Sequence, residues 1–263
     1  MRTMDALQNM QEILKNPSGS NVDTNLVFLG MLLTFVFTLL GLWVGVRFLH
    51  KRPFASLING FEQIRWSRFF TAAAVWFGIT ALMEVCNYAM HPTDYTLSFQ
   101  AAPFFITLLI SLLVLPFQTS CEELVFRGWL MQGIGSIAKK PWIPLVITSV
   151  LFGAMHFANP EVTKYGLLPM AVYYIGFGLF MGLVALLDDG LELSLGLHFG
   201  NNFFGATMVS FTSSALQTNT LFRTTDPDAY TLLALSIAGA TAAFFIFKKI
   251  YGFAPISTLF EEK

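Results

Sequence analysis

Charged residues and cysteines are scarce in this sequence. Asp, Glu, Lys and Arg make up 12% of its 263 residues, against about 25% in ordinary soluble domains. The two cysteines, Cys86 and Cys121, lie singly within apolar segments, which excludes a disulfide framework and a zinc ribbon. A net charge of -1 and the lack of a dense basic run argue against a nucleic-acid partner. Because no repeat, low-complexity tract or linker is evident, residues 1–263 are predicted to form one domain.

The sequence is rich in long apolar runs. Hydrophobic residues make up 55% of the chain, and its mean hydropathy is +0.62. A helix needs about 20 apolar residues to cross a hydrocarbon core of about 30 Å. Candidate spans are 26–46, 69–90, 101–117, 142–157, 168–187, 193–211 and 230–247, with a further segment around Glu122. The sequence therefore predicts an all-α fold, a polytopic transmembrane helical bundle of about seven to eight membrane segments. Its expected location is the cell (plasma) membrane, as a multi-pass protein in the lipid bilayer.

Two mixed stretches, 4–14 and 55–66, are expected to form short interfacial helices because apolar residues alternate there with polar ones. The segment before residue 26 lacks the basic-then-apolar order of a secretory signal, which favours an uncleaved first span.

Basic residues indicate the topology. They concentrate after the first span, before Trp142 and near the C-terminal end, and by the positive-inside bias these connections are cytoplasmic. Glu122 and His198 then lie nearer the inner face, whereas His156 lies about 21 Å along a helix that runs outward from Trp142. The three meet if that helix starts outside the hydrocarbon, tilts or ends in a wet cavity. Alternatively, the Glu122 segment is a full span and the sidedness after it is inverted.

Polar side chains within the spans are few, and each is a functional candidate, because a charge at bilayer depth costs about 2.5 to 3.5 kcal/mol on insertion scales. The set is Glu84, Asn87, Glu122, Glu123, Arg127, His156, His198, Asn201 and Asn202. Three pairs are four residues apart and so share a helical face: Glu123 with Arg127, Phe152 with His156, and His198 with Asn202. Glu122 projects about 100° away from Glu123, so Arg127 can neutralise Glu123 while Glu122 points into a cavity.

The three motifs together resemble the CPBP family of intramembrane proteases. They are Glu-Glu-x-x-x-Arg from Glu122, Phe-x-x-x-His from Phe152 and His-x-x-x-Asn from His198, and they occupy about 119–202. The family includes CaaX prenyl endopeptidases of the Ras-converting type and bacterial relatives tied to bacteriocin processing and immunity (Abi). The resemblance implies that Glu122 and His156 activate water and that His198 and Asn202 form the oxyanion site. It also implies that Glu123 and Arg127 support the site by fixing helix orientation.

The chemistry agrees with these roles. Peptide hydrolysis needs an activated water, a proton carrier and donors for the oxyanion, which a buried carboxylate, imidazoles and an amide can supply. A catalytic zinc ion is an alternative, because two His and one Glu are a known zinc ligand set. The spacing leaves both versions open: no cofactor, or zinc held by Glu122, His156 and His198.

The leading hypothesis is an intramembrane endopeptidase that cleaves a membrane-associated peptide or protein. A transporter or proton pathway is a second hypothesis, since it also places Glu, His and Arg in spans. A third is a non-catalytic immunity or scaffold protein of the same fold. Structural roles are expected for Asn201, for Glu84 and Asn87, which could pair with Arg127 or line a groove, and for four glycines that permit close helix approach, namely Gly153, Gly196, Gly200 and Gly205.

Overall fold

The structure is a computed structural model that describes residues 23–61 and 63–262. Its helices are α1 (Thr24–Val44), α2 (Trp66–Met90), α3 (Ala101–Leu113), α4 (Leu115–Glu123), α5 (Met131–Gly135), α6 (Trp142–Met155), α7 (Pro160–Tyr165), α8 (Leu167–Asp188), α9 (Glu192–Thr207) and α10 (Ala229–Tyr251). Shorter turns are π-helical at Gly45–Leu49 and Leu124–Leu130, and 3-10 helical at Phe54–Leu57, Pro92–Asp94 and Ile256–Leu259. Three short strands are β1 (Tyr95–Leu97), β2 (Val209–Phe211) and β3 (Phe222–Thr224).

The predicted helical membrane bundle is confirmed. Five helical stretches in the described part of the chain are long and apolar enough to cross a bilayer: Thr24–Leu49, Trp66–Met90, Ala101–Gly135, Leu167–Asp188 and Ala229–Tyr251. Helix α6 is apolar but shorter. Large hydrophobic side chains cover the outside of these helices, as expected where the solvent is lipid.

The segment around Glu122 is not a separate span. It continues the helix that begins at Ala101, so that α3, α4, the π-helical turn and α5 form one stretch of 35 residues. The stretch is interrupted after Val114, because Pro116 has no N–H to donate to the preceding turn. The alternative with inverted sidedness required the Glu122 segment to cross the membrane separately. Because α3 to α5 form one stretch, that requirement is not met.

Helix α9 differs from the predicted span at 193–211. It has 16 residues and ends at Thr207, and strand β2 follows it. It packs against α2, α3, α4 and α8, and most of its side chains are buried. A helix enclosed by other helices need not match the bilayer thickness, and its polar side chains face protein rather than lipid.

Glycines bring α9 against α2. A Cβ atom at Gly196 would overlap the carbonyl oxygen of Phe69, and one at Gly200 would lie 2.7 Å from that of Ala73. Small residues four apart let helix backbones approach closely, as in membrane dimer motifs. A Cβ at Gly153 would overlap the side chain of Ile175 on α8, whereas a Cβ at Gly205 would have no neighbour within 4 Å among the described residues. The close-approach prediction therefore holds for three glycines and is wrong for Gly205.

The predicted interfacial helix at 55–66 is wrong. Among the described residues of this stretch, helix is limited to the 3-10 turn Phe54–Leu57 until α2 begins at Trp66. The side chain of Asn59 accepts a hydrogen bond from the backbone of Phe61, two residues on, a turn that competes with helix formation. The predicted helix at 4–14 lies outside the described residues.

The connections collect at two ends of the bundle. At one end, Arg52 donates to Gln132, Leu191 bonds to the backbone of Ile58, and Arg65 pairs with Glu192 at 2.6 Å. At the other end, the strands form a sheet in the order β1-β3-β2, with β3 antiparallel to β1 and parallel to β2. This grouping agrees with the topology predicted from the basic residues.

The α2–α9 contact should not tolerate a side chain at Gly196. Gly196→Leu would push a Cβ into backbone, and overpacking typically costs about 1 to 3 kcal/mol. We expect a clearly lower thermal midpoint in detergent for Gly196→Leu and an unchanged one for the control Gly205→Ala. Equal midpoints for these two variants would contradict the observed packing.

Candidate active site

A fully buried ion pair lies at the centre of the bundle. Arg127 Nη1 is 2.8 Å from Glu123 Oε1, and both side chains have no exposure. Arg127 also donates to the carbonyl oxygen of Gly178 on α8 at 3.0 Å. Its guanidinium lies 4.3 Å from the ring centroid of Phe152 on α6, a cation–π contact that is strongest away from water. The Arg127 side chain therefore links the helical stretch Ala101–Gly135 to α6 and α8.

His198 joins the two neighbouring glutamates. Its Nδ1 lies 2.8 Å from Glu123 Oε1, and its Nε2 lies 3.5 Å from Glu122 Oε2. Because Glu123 takes up Nδ1, the opposite nitrogen of the ring is the one directed at Glu122. A carboxylate that accepts from one imidazole nitrogen fixes the orientation of the ring, so Glu123 positions His198 as well as Arg127.

Glu122 is held on one side and free on the other. Its Oε1 accepts a hydrogen bond of 2.6 Å from Gln118, one turn earlier in α4. Its Oε2 is buried and has no hydrogen-bond partner among the described residues. A buried carboxylate oxygen without a partner is costly, and it is available to a water molecule or a substrate.

His156 reaches the cluster through Phe152. Its Nδ1 lies 2.8 Å from the carbonyl oxygen of Phe152, so Nδ1 donates, and in a neutral imidazole the other nitrogen, Nε2, is then the acceptor. The imidazole stacks on Tyr174 with centroids 4.7 Å apart. Phe152 also contacts the His198 ring, with centroids 6.1 Å apart. Within the described residues, no hydrogen bond or ion pair joins His156 to Glu122 or His198.

The segment after His156 makes polar contacts with α8 and with a later loop. Tyr174 accepts a hydrogen bond from Asn159, and the Glu161 carboxylate accepts one of 2.7 Å from the backbone of Ala215. Burial raises the pKa of the Glu161 carboxyl group, and the hydrogen bond from Ala215 opposes that effect. The loop between β2 and β3 is thus tied to α7, the helix that follows α6.

The amide of Asn202 joins the cluster through Gln118. Asn202 Nδ2 donates to Gln118 Oε1 at 3.0 Å. Asn201 donates to Asn202 Oδ1 at 3.0 Å and accepts from the Trp76 indole at 3.1 Å. The predicted neighbour Asn201 is therefore bonded to the predicted site residue.

The structure brings the predicted site residues together to different degrees. Glu122, Glu123, Arg127 and His198 are in direct contact. Asn202 and His156 are connected through Gln118 and through Phe152. Gln118 and Tyr174 are additional polar members, and the signal for Gln118 was its position four residues before Glu122, on the same helical face.

Glu84 and Asn87 do not pair with Arg127. The Tyr95 hydroxyl donates to Glu84 and accepts from Asn87, each at 2.6 Å. These residues tie the end of α2 to strand β1, which agrees with the structural role expected for them.

The candidate zinc ligands do not form a complete metal site in this arrangement. No three His, Cys, Asp or Glu side chains of the described chain converge closely enough to hold a metal ion. Of the three candidates, Glu122 and His198 face each other, whereas no hydrogen bond or ion pair among the described residues joins His156 to either of them.

The fold and this buried cluster define an integral membrane protein with a polar centre. Residues 101–204 match the family described as "Type II CAAX prenyl endopeptidase Rce1-like". This match spans the three motifs and confirms the resemblance to the CPBP family.

The chain is also similar to a bacterial protein. The uncharacterized protein YyaK of Bacillus subtilis (strain 168) is 34% identical over 171 residues, which are 65% of this chain and 57% of that protein. The chain thus spans less than two thirds of the relative it matches. No solved structure matches the chain.

Removing one partner of the central ion pair should destabilise the protein. Glu123→Gln or Arg127→Met leaves an uncompensated buried charge, which costs about 3 to 5 kcal/mol. The loss should appear as a lower unfolding midpoint in a fixed detergent. The control Lys164→Met removes a half-exposed ion pair with Asp226, and surface pairs contribute only about 0 to 1 kcal/mol. A Glu123→Gln variant as stable as Lys164→Met would contradict the large contribution to stability expected of the buried pair.

Proposed function

We propose that this protein is an intramembrane endopeptidase that hydrolyses a peptide bond of a membrane-associated substrate with an activated water. The observation that carries the proposal is the state of Glu122. One of its oxygens is fixed by Gln118, and the other is buried, unpartnered among the described residues and 3.5 Å from His198. The family match supports the same activity.

Glu122 Oε2 acts as the general base. It accepts a proton from a water molecule as the resulting hydroxide attacks the scissile carbonyl carbon. The same oxygen then returns that proton to the leaving amine, so that the carboxylate is regenerated. His156 Nε2, with its free lone pair, accepts a hydrogen bond from the water and orients it.

His198 and Asn202 stabilise the oxyanion that forms on the carbonyl oxygen. Because Nδ1 of His198 donates to Glu123, Nε2 donates to an oxyanion only when the ring carries both protons. The second N–H of the Asn202 amide is the other donor. Preorganised donors of this kind are often the largest contribution to catalysis.

Glu123 and Arg127 act on the geometry of the site rather than on the substrate. Glu123 Oε1 accepts from both Arg127 and His198, which fixes the ring at its distance from Glu122. This arrangement supports the division of roles between the two glutamates, with Glu122 reactive and Glu123 structural.

The substrate lies in or on the lipid bilayer, and the bilayer expected for this protein is the cell membrane. A polytopic bundle with its polar centre enclosed by apolar helices takes a segment that enters from the lipid or from one end of the bundle. A prenylated peptide that ends in Cys-a-a-X is one candidate, from the family name alone.

Replacing the base should abolish hydrolysis without unfolding the protein. Glu122→Gln keeps the volume and an acceptor for Gln118 but cannot take a proton. We expect turnover at background in a screen of farnesylated Cys-a-a-X peptides and unmodified membrane peptides with purified protein in lipid. Turnover within a few fold of wild type would refute the role of Glu122. Cleavage of none of these peptides by wild type would refute the proposed function.

Hydrolysis should not require a metal ion. If Glu122 and His156 suffice, a zinc chelator in excess should leave most activity, and metal analysis of active protein should find well under one ion per chain. Loss of activity on chelation that stoichiometric zinc restores would instead support a site with two His and one Glu.

A further inference from the structure

A chain of four side-chain hydrogen bonds runs from α2 to Glu122. It passes from Trp76 through Asn201, Asn202 and Gln118 to the carboxylate, with donor–acceptor distances of 3.1, 3.0, 3.0 and 2.6 Å. The chain joins three helices, since Trp76 lies on α2, the two asparagines on α9 and Gln118 on α4.

The two ends of the chain fix its direction. An indole N–H only donates, and an ionised carboxylate only accepts. Each amide in between therefore accepts through its oxygen on the side of Trp76 and donates through its nitrogen on the side of Glu122. Reversing any one amide would set two donors or two acceptors against each other, so the chemistry of the ends determines all three orientations.

We infer that Gln118 is the positioning residue of the proposed active site, and that the chain ending at it selects which oxygen of Glu122 acts as the base. This inference rests on the proposed endopeptidase function. Gln118 donates to Oε1, so that oxygen is engaged and the proton from water goes to Oε2. Oε2 is the atom that faces His198, at 3.5 Å from Nε2, and it accepts no hydrogen bond among the described residues.

The same residue aims the oxyanion donor. A primary amide has two N–H groups, and Gln118 takes one from Asn202. With Asn201 bonded to its oxygen, the Asn202 amide cannot rotate, and its second N–H has one direction. Gln118 lies on α4, four residues before Glu122, and also bonds to Asn202 on α9. It thus couples the position of the base, Glu122, to that of the oxyanion donor, Asn202.

The surroundings of Gln118 agree with a special role. It is 7% exposed on a helix that is apolar on its lipid side, and a buried amide is costly unless its hydrogen bonds are made. The charged and titratable groups around Glu122 are His198 on α9, with Glu123, Arg127 and Cys121 on its own helix. Gln118 is a neutral partner of Glu122 and so fixes its position without changing the charge of the site.

Two substitutions separate positioning from packing. Gln118→Leu removes both hydrogen bonds at similar volume. Gln118→Glu keeps an acceptor for Asn202 but replaces the donor to Glu122 by a second carboxylate. We expect kcat to fall about 100-fold in both, the scale that a displacement of about 1 Å causes. KM should stay unchanged, because Gln118 does not touch the substrate.

The matched control is Gln132→Leu. Gln132 lies in the same helical stretch, 14 residues further on, and its partners are Arg52 and the backbone near Leu57. It should keep the wild-type kcat. Wild-type kcat in Gln118→Glu would overturn the selection of Oε2, and a rise in KM with unchanged kcat would show that Gln118 binds substrate instead.

Substitutions further along the chain should have graded effects on kcat. Asn202→Ala removes an oxyanion donor, for which losses of about 100 to 1,000-fold are usual. Asn201→Ala and then Trp76→Phe should cost progressively less, because each acts through the next amide. A larger loss in Trp76→Phe than in Asn202→Ala would contradict the order of the chain.

A stability cycle tests the bonds independently of turnover. Unfolding midpoints of Gln118→Leu, Asn202→Leu and the double variant are compared in one detergent. Residues in one hydrogen-bond network are not additive, so the double loss should be smaller than the sum of the single losses. Additive losses of stability would refute the hydrogen-bond chain even if the enzyme is active. If the losses of stability are non-additive but the protein cleaves no peptide, the hydrogen-bond chain is supported and the proposed function is refuted.

Discussion

The rest of the structure depends on Glu123 Oε1, which accepts hydrogen bonds from Arg127 and His198 at once. These side chains are excluded from water, so breaking either contact would leave a charge or a polar nitrogen without a partner in apolar surroundings. The guanidinium extends the constraint to α6 and α8 through Phe152 and a backbone carbonyl. The relative positions of four helices thus follow from one carboxylate oxygen.

A second constraint, the small residues of α9, makes this polar centre possible. Gly196 and Gly200 let α9 lie against the backbone of α2, which buries α9 and brings Trp76 within hydrogen-bond distance of Asn201. A helix in that position is shielded from lipid. It can therefore carry a histidine and two asparagines in one turn, which at the bundle surface would be strongly unfavourable.

Much of this could be predicted from the residues. Hydropathy predicted the helices, because the bilayer forces any spanning segment to satisfy its backbone internally. The spacing of four residues correctly paired Glu123 with Arg127, since that pair is local to one helix. The element at 55–66 was predicted wrongly because an Asn59 turn outweighed the apolar pattern. The contact of Glu84 with Tyr95 could not be predicted either, since it joins a helix to a strand that the sequence did not indicate.

The sequence by itself determined that the chain is a helical membrane protein and which side chains share a helical face, because both depend on composition or on local periodicity. Its three motifs also carried the resemblance to the CPBP family. Only the tertiary structure decided how the faces meet. It placed His198 between the two glutamates and the His156 ring against Phe152. It also added Gln118 to the site, since the bond to Asn202 spans 84 residues. Contacts of that range depend on helix packing, which no spacing within a single helix can specify.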